Sequence, residues 1–493
     1  MTFLVAHPSM VERLRILRGL ARVVAPVAVL AVLGACGKTG SSSDDGEPAA
    51  SPEWVLRWNR IAIDASGFDH AHAGEQLGPG KSSRAMAIVH LAIFDALDGI
   101  EPRYASYREH PQPAANASPR IAIAQAARDT LIALYPAQAS QLDAELVADL
   151  NREPDTQARS EGARFGHDVA MAILAERAED RADLSTPEHE RAYPISSSAG
   201  HWRPDPVHPT QAPLGAYWGE VAPFALASAS QFRAPPPPSM ASAEYAAAFE
   251  EVKRLGGDGV VTPTARTDEQ TQIGIYWAYD GTPSLCAPPR LYNQITAAVA
   301  SQQGTRDALE LARLFALVNV AMADAGTAIW ESKYHYDFWR PVTGIREADP
   351  GLGPSGAGDG NPLTSADPSF TPLGAPASNS PDAASFTPPF PAYPSGHAGF
   401  GGALFETLRN FYGTDEIAFS FVSDELNGVT VGGDGAVRPL VERHFDSLSD
   451  AEDENGQSRI YLGIHWRFDK SAGIAQGRAI ADQVFATILL PRP

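Results

Sequence analysis

The 493-residue sequence predicts an all-α protein. In the first half, apolar residues recur every three to four positions, which is the spacing of amphipathic helices. In the second half, residues 307–339 carry the same spacing along one face. The alternation of apolar and polar residues that marks a half-buried strand is not evident. We therefore expect antiparallel helices in the first half, at residues 86–97, 123–134, 142–150 and 165–174.

Composition and charge restrict the class of partner. The sequence is 44% apolar and 20% charged, which is typical of a soluble globular protein with one large core or two domains. Its net charge is −21. Because nucleic-acid phosphates are bound by surplus Lys and Arg, this charge argues against a nucleic-acid partner. A bound anion would require cations concentrated at one place.

The N-terminus has the features of a bacterial export signal. Four arginines between residues 13 and 22 precede an apolar run at 23–33 that is too short to span a bilayer. The run ends in Leu-Gly-Ala-Cys, which resembles a lipobox, so we expect residues 1–35 to be a lipoprotein signal peptide and Cys36 to be lipidated. An ordinary signal peptide is the alternative. Lipidation would anchor the exported protein in the cell envelope, with residues 36–52 as a flexible tether.

Proline-rich composition suggests a boundary between two halves. Residues 185–240 are rich in Pro, Ser and Ala and include four consecutive prolines at 235–238. Because such a run cannot form the interior of a helix, we predict an extended connection there. The predicted domains are an N-terminal helical bundle with its connector at 53–235 and a C-terminal helical bundle at 236–493.

The second half is expected to be helical with one long irregular segment. Residues 349–392 are rich in Gly, Pro, Ser and Thr and lack periodicity, and loops of this length are commonly functional or disordered. A proline-bearing turn is expected near residues 283–289. Helical patterns occupy residues 241–255, 267–279, 307–339, 399–412, 415–429 and 459–487.

Three groups of residues in this half carry chemistry. The first is Lys333 and Arg340, which are seven residues apart. On one continuing helix this is two turns, so both cations would lie on the same side, with Trp330 one turn before Lys333. The second is Ser395, Gly396 and His397, at a predicted helix start whose N–H groups attract anions. Alone, the first would be an ordinary solvated pair of cations and the second an ordinary helix cap.

The third group is Arg459, His465 and Asp469. The carboxylate of Asp469 lies four residues after His465, where it can hold one ring nitrogen and leave the other free. The guanidinium of Arg459 suits a tetrahedral oxyanion. Alone, the group would be an intrahelical ion pair. Together, the three groups predict a site for a highly charged oxyanion such as phosphate or vanadate.

These motifs resemble a signature shared by type 2 phosphatidic acid phosphatases, class A acid phosphatases and vanadium-dependent haloperoxidases. Around them, the runs at 276–281, 312–318, 338–341, 388–398 and 462–469 are similar to the fungal vanadium chloroperoxidase type. The resemblance implies two four-helix bundles with vanadate, as vanadium(V), in the C-terminal one. The lipid anchor predicted from the lipobox departs from the fungal type.

The resemblance also implies residue roles. His465 would coordinate vanadium, and His397 would be the acid or base that helps hydrogen peroxide bind. Lys333 would polarise the peroxide. The oxygens of vanadate would be hydrogen-bonded by Lys333, Arg340, Ser395, Gly396 and Arg459.

Three further positions match the family. Phe390 and Trp330 match residues that line the halide pocket in chloride-oxidising members, whereas many bromide-restricted members carry histidine at the position of Phe390. Packing alone would also explain two aromatic residues. Asp280 matches the acid that pairs with the arginine of the third motif, so we expect it to contact Arg459.

The function expected is a vanadium-dependent haloperoxidase that oxidises bromide, and for which Phe390 permits chloride, with hydrogen peroxide as oxidant and hypohalous acid as product. The enzyme alternative is an acid phosphatase with His465 as phosphohistidine nucleophile and His397 as acid. A third alternative is a lipoprotein that binds an oxyanion without catalysis.

Overall fold

The structure, a computed structural model, describes residues 50–493. The predicted signal peptide, the lipidation site Cys36 and most of the tether lie outside the described residues. Within residues 50–493 the chain is mostly helical, as predicted, and it also contains two strands. The helices are α1 Pro52–Ala71, α2 Gly78–Ile100, α3 Pro119–Leu134, α4 Ala139–Leu150, α5 Thr156–Arg177, α6 Pro187–Glu190, α7 Ala243–Leu255, α8 Asp268–Tyr276, α9 Pro288–Gln302, α10 Ala308–Tyr336, α11 Pro341–Arg346, α12 Gly396–Tyr412, α13 Leu448–Tyr461 and α14 Arg467–Thr487, and the strands are β1 Phe419–Asn427 and β2 Leu440–Phe445.

The helices predicted in the first half are confirmed as α2 to α5. Side-chain caps start two of them: the Ser118 hydroxyl accepts from the N–H of Ile121 at α3, and Asp155 accepts from two N–H groups at α5. Helix α2 is buried along almost its whole length, between α3 and α10. It is therefore a central helix and not a surface one.

Helix α10 is the central element of the second half. The Asp307 carboxylate caps it by accepting from the N–H of Glu310, and almost every residue through Lys333 is buried. It packs against α2, α12 and α14. Helices α12 and α14 approach so closely that a Cβ at Gly477 would lie 2.0 Å from the carbonyl oxygen of Gly399, which only glycine permits.

The prediction of one helix through residue 339 is wrong. Helix α10 ends at Tyr336, and Asp337 takes a left-handed conformation with φ of 50°. Arg340 instead precedes α11, in which Pro341 occupies the first turn. Lys333 and Arg340 therefore do not lie on one face of a continuing helix.

Two further helix assignments are wrong. The segment 459–487 is not continuous: α13 ends at Tyr461 and α14 begins at Arg467, with Gly463 at φ of 74° between them. The proline-bearing turn near residue 288 is in part the first turn of α9, a helix absent from the prediction. Proline fits the first turn of a helix because the N–H that it lacks would have no intrahelical partner.

The expected helix at 415–429 is also wrong, because strand β1 occupies most of it. Its residues alternate in burial from Phe419 to Glu425, the two-residue period of a strand. It pairs antiparallel with β2, with Phe419 opposite Phe445 and Val422 opposite Glu442. The polar residues Ser423 and Glu425 point inward, so hydrophobicity alone did not reveal the alternation.

The two long irregular segments are largely without regular structure, as predicted. Residues 185–240 contain only α6 and two short 3₁₀ turns, both of which pack against α10. Residues 347–395 contain no helix or strand, yet many of their side chains are buried. The boundary at 235 remains a prediction. None of the helices in the described chain is long and apolar enough to cross a membrane.

Candidate functional site

The three sequence groups converge at one buried place. Lys333 lies in the last turn of α10, and its Nζ donates to the carbonyl oxygens of Pro391 (2.8 Å) and Ala392 (3.0 Å). The side chain is fully buried. These two carbonyls belong to the segment that leads into α12, so Lys333 ties the first motif to the second.

Arg340 reaches the same place from the start of α11. Its Nε donates to the Phe390 carbonyl and its Nη1 to the Ile464 carbonyl, each at 2.8 Å. The same Nη1 lies 2.9 Å from Nε2 of His465. Its Nη2 is buried and has no hydrogen-bond partner among the described residues. One donor of the guanidinium is therefore free for a ligand.

Arg459 lies in the last turn of α13 and makes the expected contact with Asp280. Its Nη2 donates to both carboxylate oxygens, at 2.6 and 2.9 Å, and both side chains are buried. Its Nε and Nη1 have no acceptor within residues 50–493. With Nη2 of Arg340 they make three free N–H-bearing nitrogens, which we call the free donor set.

His465 lies between α13 and α14, and Asp469 orients its ring. The Nδ1 donates to Oδ2 of Asp469 at 2.8 Å, and the N–H of Trp466 donates to the same oxygen at 2.9 Å. Burial, and then Arg340, lowers the pKa of His465 well below its usual value, so the imidazole is neutral. With the proton on Nδ1, the lone pair lies on Nε2, where it accepts from Nη1 of Arg340. A metal bound at Nε2 would replace this hydrogen bond.

Ser395, Gly396 and His397 form the start of α12. The Ser395 hydroxyl is the N-cap and accepts from the N–H of Ala398 at 3.5 Å. A Cβ at Gly396 would lie 3.4 Å from the Trp330 indole, in van der Waals contact with it. The Nε2 of His397 donates to the carbonyl of Ala278. Its other ring nitrogen then carries the lone pair of a base.

The electrostatics of the site favour an anion. Burial, followed by the charge of Arg340, lowers the pKa of Lys333 well below its usual value. Burial lowers the pKa of Arg340 to about 9 and also lowers that of His397. It raises the pKa of Asp469 to about 7. The three basic side chains, of Lys333, Arg340 and Arg459, outnumber the two buried carboxylates of Asp280 and Asp469, so a bound oxyanion would stabilise the protonated forms of the basic groups.

A pocket of about 520 Å³, counting solvent at its mouth, opens onto the site. His397, Arg459 and His465 lie in its wall. Its other walls are mainly apolar and come from α2, the connector, the 347–395 segment and α12. The rings of Trp330 and Phe390 pack with centroids 4.9 Å apart, and Lys333 Nζ lies 5.7 and 5.0 Å from their centroids.

Several residues of the site had no signal in the sequence. Tyr292 and Asn455 both donate to the backbone carbonyl of His397, at 2.9 Å each, and so hold the start of α12. Asn455 lies one turn before Arg459 on α13, which could have suggested it. Tyr292 lies on α9, which was not predicted. Leu214 and Phe386, in the irregular segments, line the pocket.

Comparison with known proteins identifies the family. Residues 45–214 match the profile of the vanadium chloroperoxidase N-terminal domain, and residues 313–490 match that of the VCPO second helical-bundle domain. Vanadium chloroperoxidase from Curvularia inaequalis is 32% identical over 501 aligned positions, covering 85% of this chain and 79% of that protein.

Solved structures share the fold. A bacterial vanadium-dependent iodoperoxidase superposes with a TM-score of 0.71 at 23% identity, covering 91% of this chain and 100% of that one. The apo-type of a bacterial vanadium-dependent chloroperoxidase gives 0.64 at 17% identity, covering 85% and 95%. These findings do not favour the phosphatase alternative. The chain belongs to the vanadium-dependent haloperoxidase family and matches its vanadium chloroperoxidase members in sequence.

Proposed function

We propose that this protein binds vanadate at the site described above and uses hydrogen peroxide to oxidise bromide and chloride to the hypohalous acids. The observation that carries the proposal is the free donor set of Arg340 and Arg459, whose three nitrogens have no acceptor in the described part of the chain. Such donors are costly to bury unless a ligand accepts from them. A tetrahedral oxyanion offers several acceptors at once.

The residues present fit vanadate. His465 offers a neutral Nε2, which is the form that a metal requires. Arg340, Arg459 and Lys333, with Ser395 and the backbone of Gly396, would donate to the vanadate oxygens. Bound vanadate would supply a Lewis-acidic vanadium(V) centre that activates peroxide towards attack by a halide.

The chain itself would move protons and stabilise charge. His397 is neutral, with its Nε2 donating to Ala278, so its other ring nitrogen can accept a proton from hydrogen peroxide. Lys333 lies beside the rings of Trp330 and Phe390, which we call the aromatic wall. An anion beside Lys333 would favour its protonated form, which then stabilises negative charge on a leaving oxygen.

The aromatic wall supports chloride as a substrate as well as bromide. Trp330 and Phe390 present apolar rings next to Lys333. Such a wall strips water from a halide, which makes a weakly nucleophilic chloride more reactive, while the cation keeps it bound. The relatives reported above include proteins named as chloroperoxidases and one named as an iodoperoxidase.

The arrangement of the chain is also part of the proposal. We infer an N-terminal bundle at 53–235 and a C-terminal bundle at 236–493, whose helices α10 and α12 to α14 would hold vanadate. The sequence features of residues 1–36 support export and attachment to the bacterial envelope through Cys36. Mass spectrometry of the mature protein tests this point: an unmodified Cys36 or another N-terminus would contradict it.

Reconstitution tests the activity. Purified protein, freed of bound anions and reloaded with orthovanadate, should halogenate monochlorodimedone with hydrogen peroxide and bromide, and more slowly with chloride. No bromination by vanadate-loaded protein would refute the proposal. Turnover of p-nitrophenyl phosphate by vanadate-free protein, abolished by vanadate, would instead support the phosphatase alternative. Tight vanadate binding without either turnover would support an oxyanion-binding protein.

A further inference from the structure

The connector between the two halves contacts Trp330 directly and also the residue that precedes Phe390. The carbonyl of Leu214 accepts from Nε1 of Trp330 at 3.0 Å and from the Tyr334 hydroxyl at 2.8 Å. The N–H of the same residue donates to the carbonyl of Pro389 at 2.9 Å, one residue before Phe390. The backbone of Leu214 thus links the irregular segment that contains Phe390 to the indole of Trp330.

The next residue in the connector, Gly215, is held from the other side by a buried carboxylate. Its N–H donates to Oε1 of Glu190 at 2.8 Å, and the same oxygen accepts from the hydroxyl of Ser185. Glu190 is 4% exposed. It lies at the end of α6, far from the other motifs in the sequence.

Gly215 also lies directly against Trp330. Its φ is 74°, and a Cβ there would lie 2.4 Å from both Cδ1 and Nε1 of the indole. Backbone at this position therefore forms one face of the slot that holds the Trp330 ring. The same ring packs on Phe390 at a centroid distance of 4.9 Å. The indole has little freedom as long as Gly215 stays in place.

We propose that Glu190 is a positioning residue for halide binding: by holding Gly215 it fixes the connector against Trp330, and so sets the spacing of the Trp330–Phe390 pair. The inference rests on the proposed function, in which this pair lines the halide pocket. Glu190 does not line the pocket and acts only through Gly215 and Leu214. Because a halide is small, it senses displacements of its pocket wall that a larger ligand would tolerate.

Two substitutions at one position separate hydrogen bonding from charge. Glu190→Met removes the acceptor but keeps the length of the side chain, whereas Glu190→Gln retains a carbonyl oxygen that can accept from Gly215 and Ser185. In the vanadate-loaded enzyme we expect Glu190→Met to raise the KM for bromide by about tenfold or more, since misplaced binding groups cost this much. Glu190→Gln should stay near wild type, and the Kd for vanadate, measured by calorimetry, should change little in either variant.

A second pair of variants tests the contact from the other end. Gly215→Ala should also raise the KM for bromide, because the added methyl group displaces the indole. Gly413→Ala is the matched control: its φ of 73° gives the same backbone strain, but its Cβ would meet nothing within 4 Å among the described residues. That variant should keep the wild-type KM. Equal changes in both glycine variants would overturn the inference.

A readout without turnover completes the test. The contribution of Trp330 to the fluorescence is obtained by subtracting the emission spectrum of the Trp330→Phe counterpart from that of each protein. Glu190→Met should shift this difference spectrum, and Glu190→Gln should not. An unchanged Trp330 signal and bromide KM in Glu190→Met would overturn the inference while leaving the proposed function intact. Equal effects of Met and Gln would also overturn it, because they would point to charge. Absence of halide turnover in the wild type would refute the proposed function, and the halide role of Glu190 with it.

Discussion

Replacing Arg340 with lysine should weaken vanadate binding although the positive charge is kept. The guanidinium uses Nε and Nη1 to bind the carbonyls of Phe390 and Ile464, which leaves Nη2 as its remaining donor nitrogen. That nitrogen has no partner among the described residues. A lysine ammonium has no planar fork and cannot make these contacts and reach the oxyanion together.

The magnitude follows from the donor that is lost. A hydrogen bond to a charged group contributes about 1.5–3 kcal/mol. At 1.4 kcal/mol for each factor of ten, Arg340→Lys should raise the Kd for vanadate about 10- to 150-fold. Isothermal titration of vanadate into vanadate-free protein measures this directly, without dependence on turnover. Phosphate, titrated in the same way, should lose affinity in parallel because the same N–H group would bind it.

A matched control is available at the other end of the short helix that Arg340 precedes. Arg346 lies in the last turn of α11 and, like Arg340, donates from Nε to a backbone carbonyl, that of Phe370. Arg346→Lys should therefore lower stability to a comparable or smaller extent while leaving vanadate affinity unchanged. If Arg340→Lys is folded by circular dichroism and binds vanadate within about twofold of wild type, the free donor of Arg340 is not part of the anion site.

Three other predictions concern single residues. His397→Ala should reduce bromide turnover by about 10²- to 10⁴-fold, the usual contribution of a general acid or base, with the Kd for vanadate largely kept; a parallel loss of both would assign this residue to binding. Phe390→His should lower chloride oxidation more than bromide oxidation in the monochlorodimedone assay, and an unchanged ratio would remove the ring from halide selection. Burial raises the pKa of Asp95 to about 7, above its ordinary value of 3.8, so the folded protein favours the neutral carboxyl. The stability that this group contributes is therefore lost as the pH rises from about 4 through 7. In urea unfolding, the free energy of unfolding should fall less over that pH window for Asp95→Asn than for wild type, and equal falls would contradict the assignment.

The three residue groups that converge could be singled out in the sequence because their chemistry is unusual for this chain. The sequence has a net charge of −21. Against this background, two features are unusual: the helix-start motif that contains His397, and the two arginines, Arg340 near Lys333 and Arg459 near His465. Their spacing did not need a correct secondary structure to be informative. Lys333 and Arg340 were expected on one helix face, yet they meet because α10 stops at Tyr336 and the chain turns back. The expectation that these two residues lie close together was correct, but the reason given for it was wrong.

The failures share a physical cause, namely that tertiary packing overrides local pattern. Strand β1 was expected to be a helix because its inward positions include the polar Ser423 and Glu425. These are tolerated because Ser423 donates to the carbonyl of Tyr276 and Glu425 pairs with Arg438. The break at Gly463 depends on close packing against Gly256, which no local spacing reveals. Helix α9 was missed because prolines were taken as a stop when they mark a start.

The missed strand bears on the chemistry because it positions Asp280. The buried Glu425 of β1 accepts from the N–H of Tyr279, whose φ is 44°, and this contact fixes the backbone immediately before Asp280. Asp280 then holds Nη2 of Arg459 through both carboxylate oxygens. With that nitrogen occupied, Nε and Nη1 of Arg459 remain without a partner in the described part of the chain. The orientation of Arg459, one of the two arginines proposed to bind vanadate, thus depends on a strand outside the three motifs. Transplanting the motif residues alone onto another helical bundle would therefore not reproduce the site.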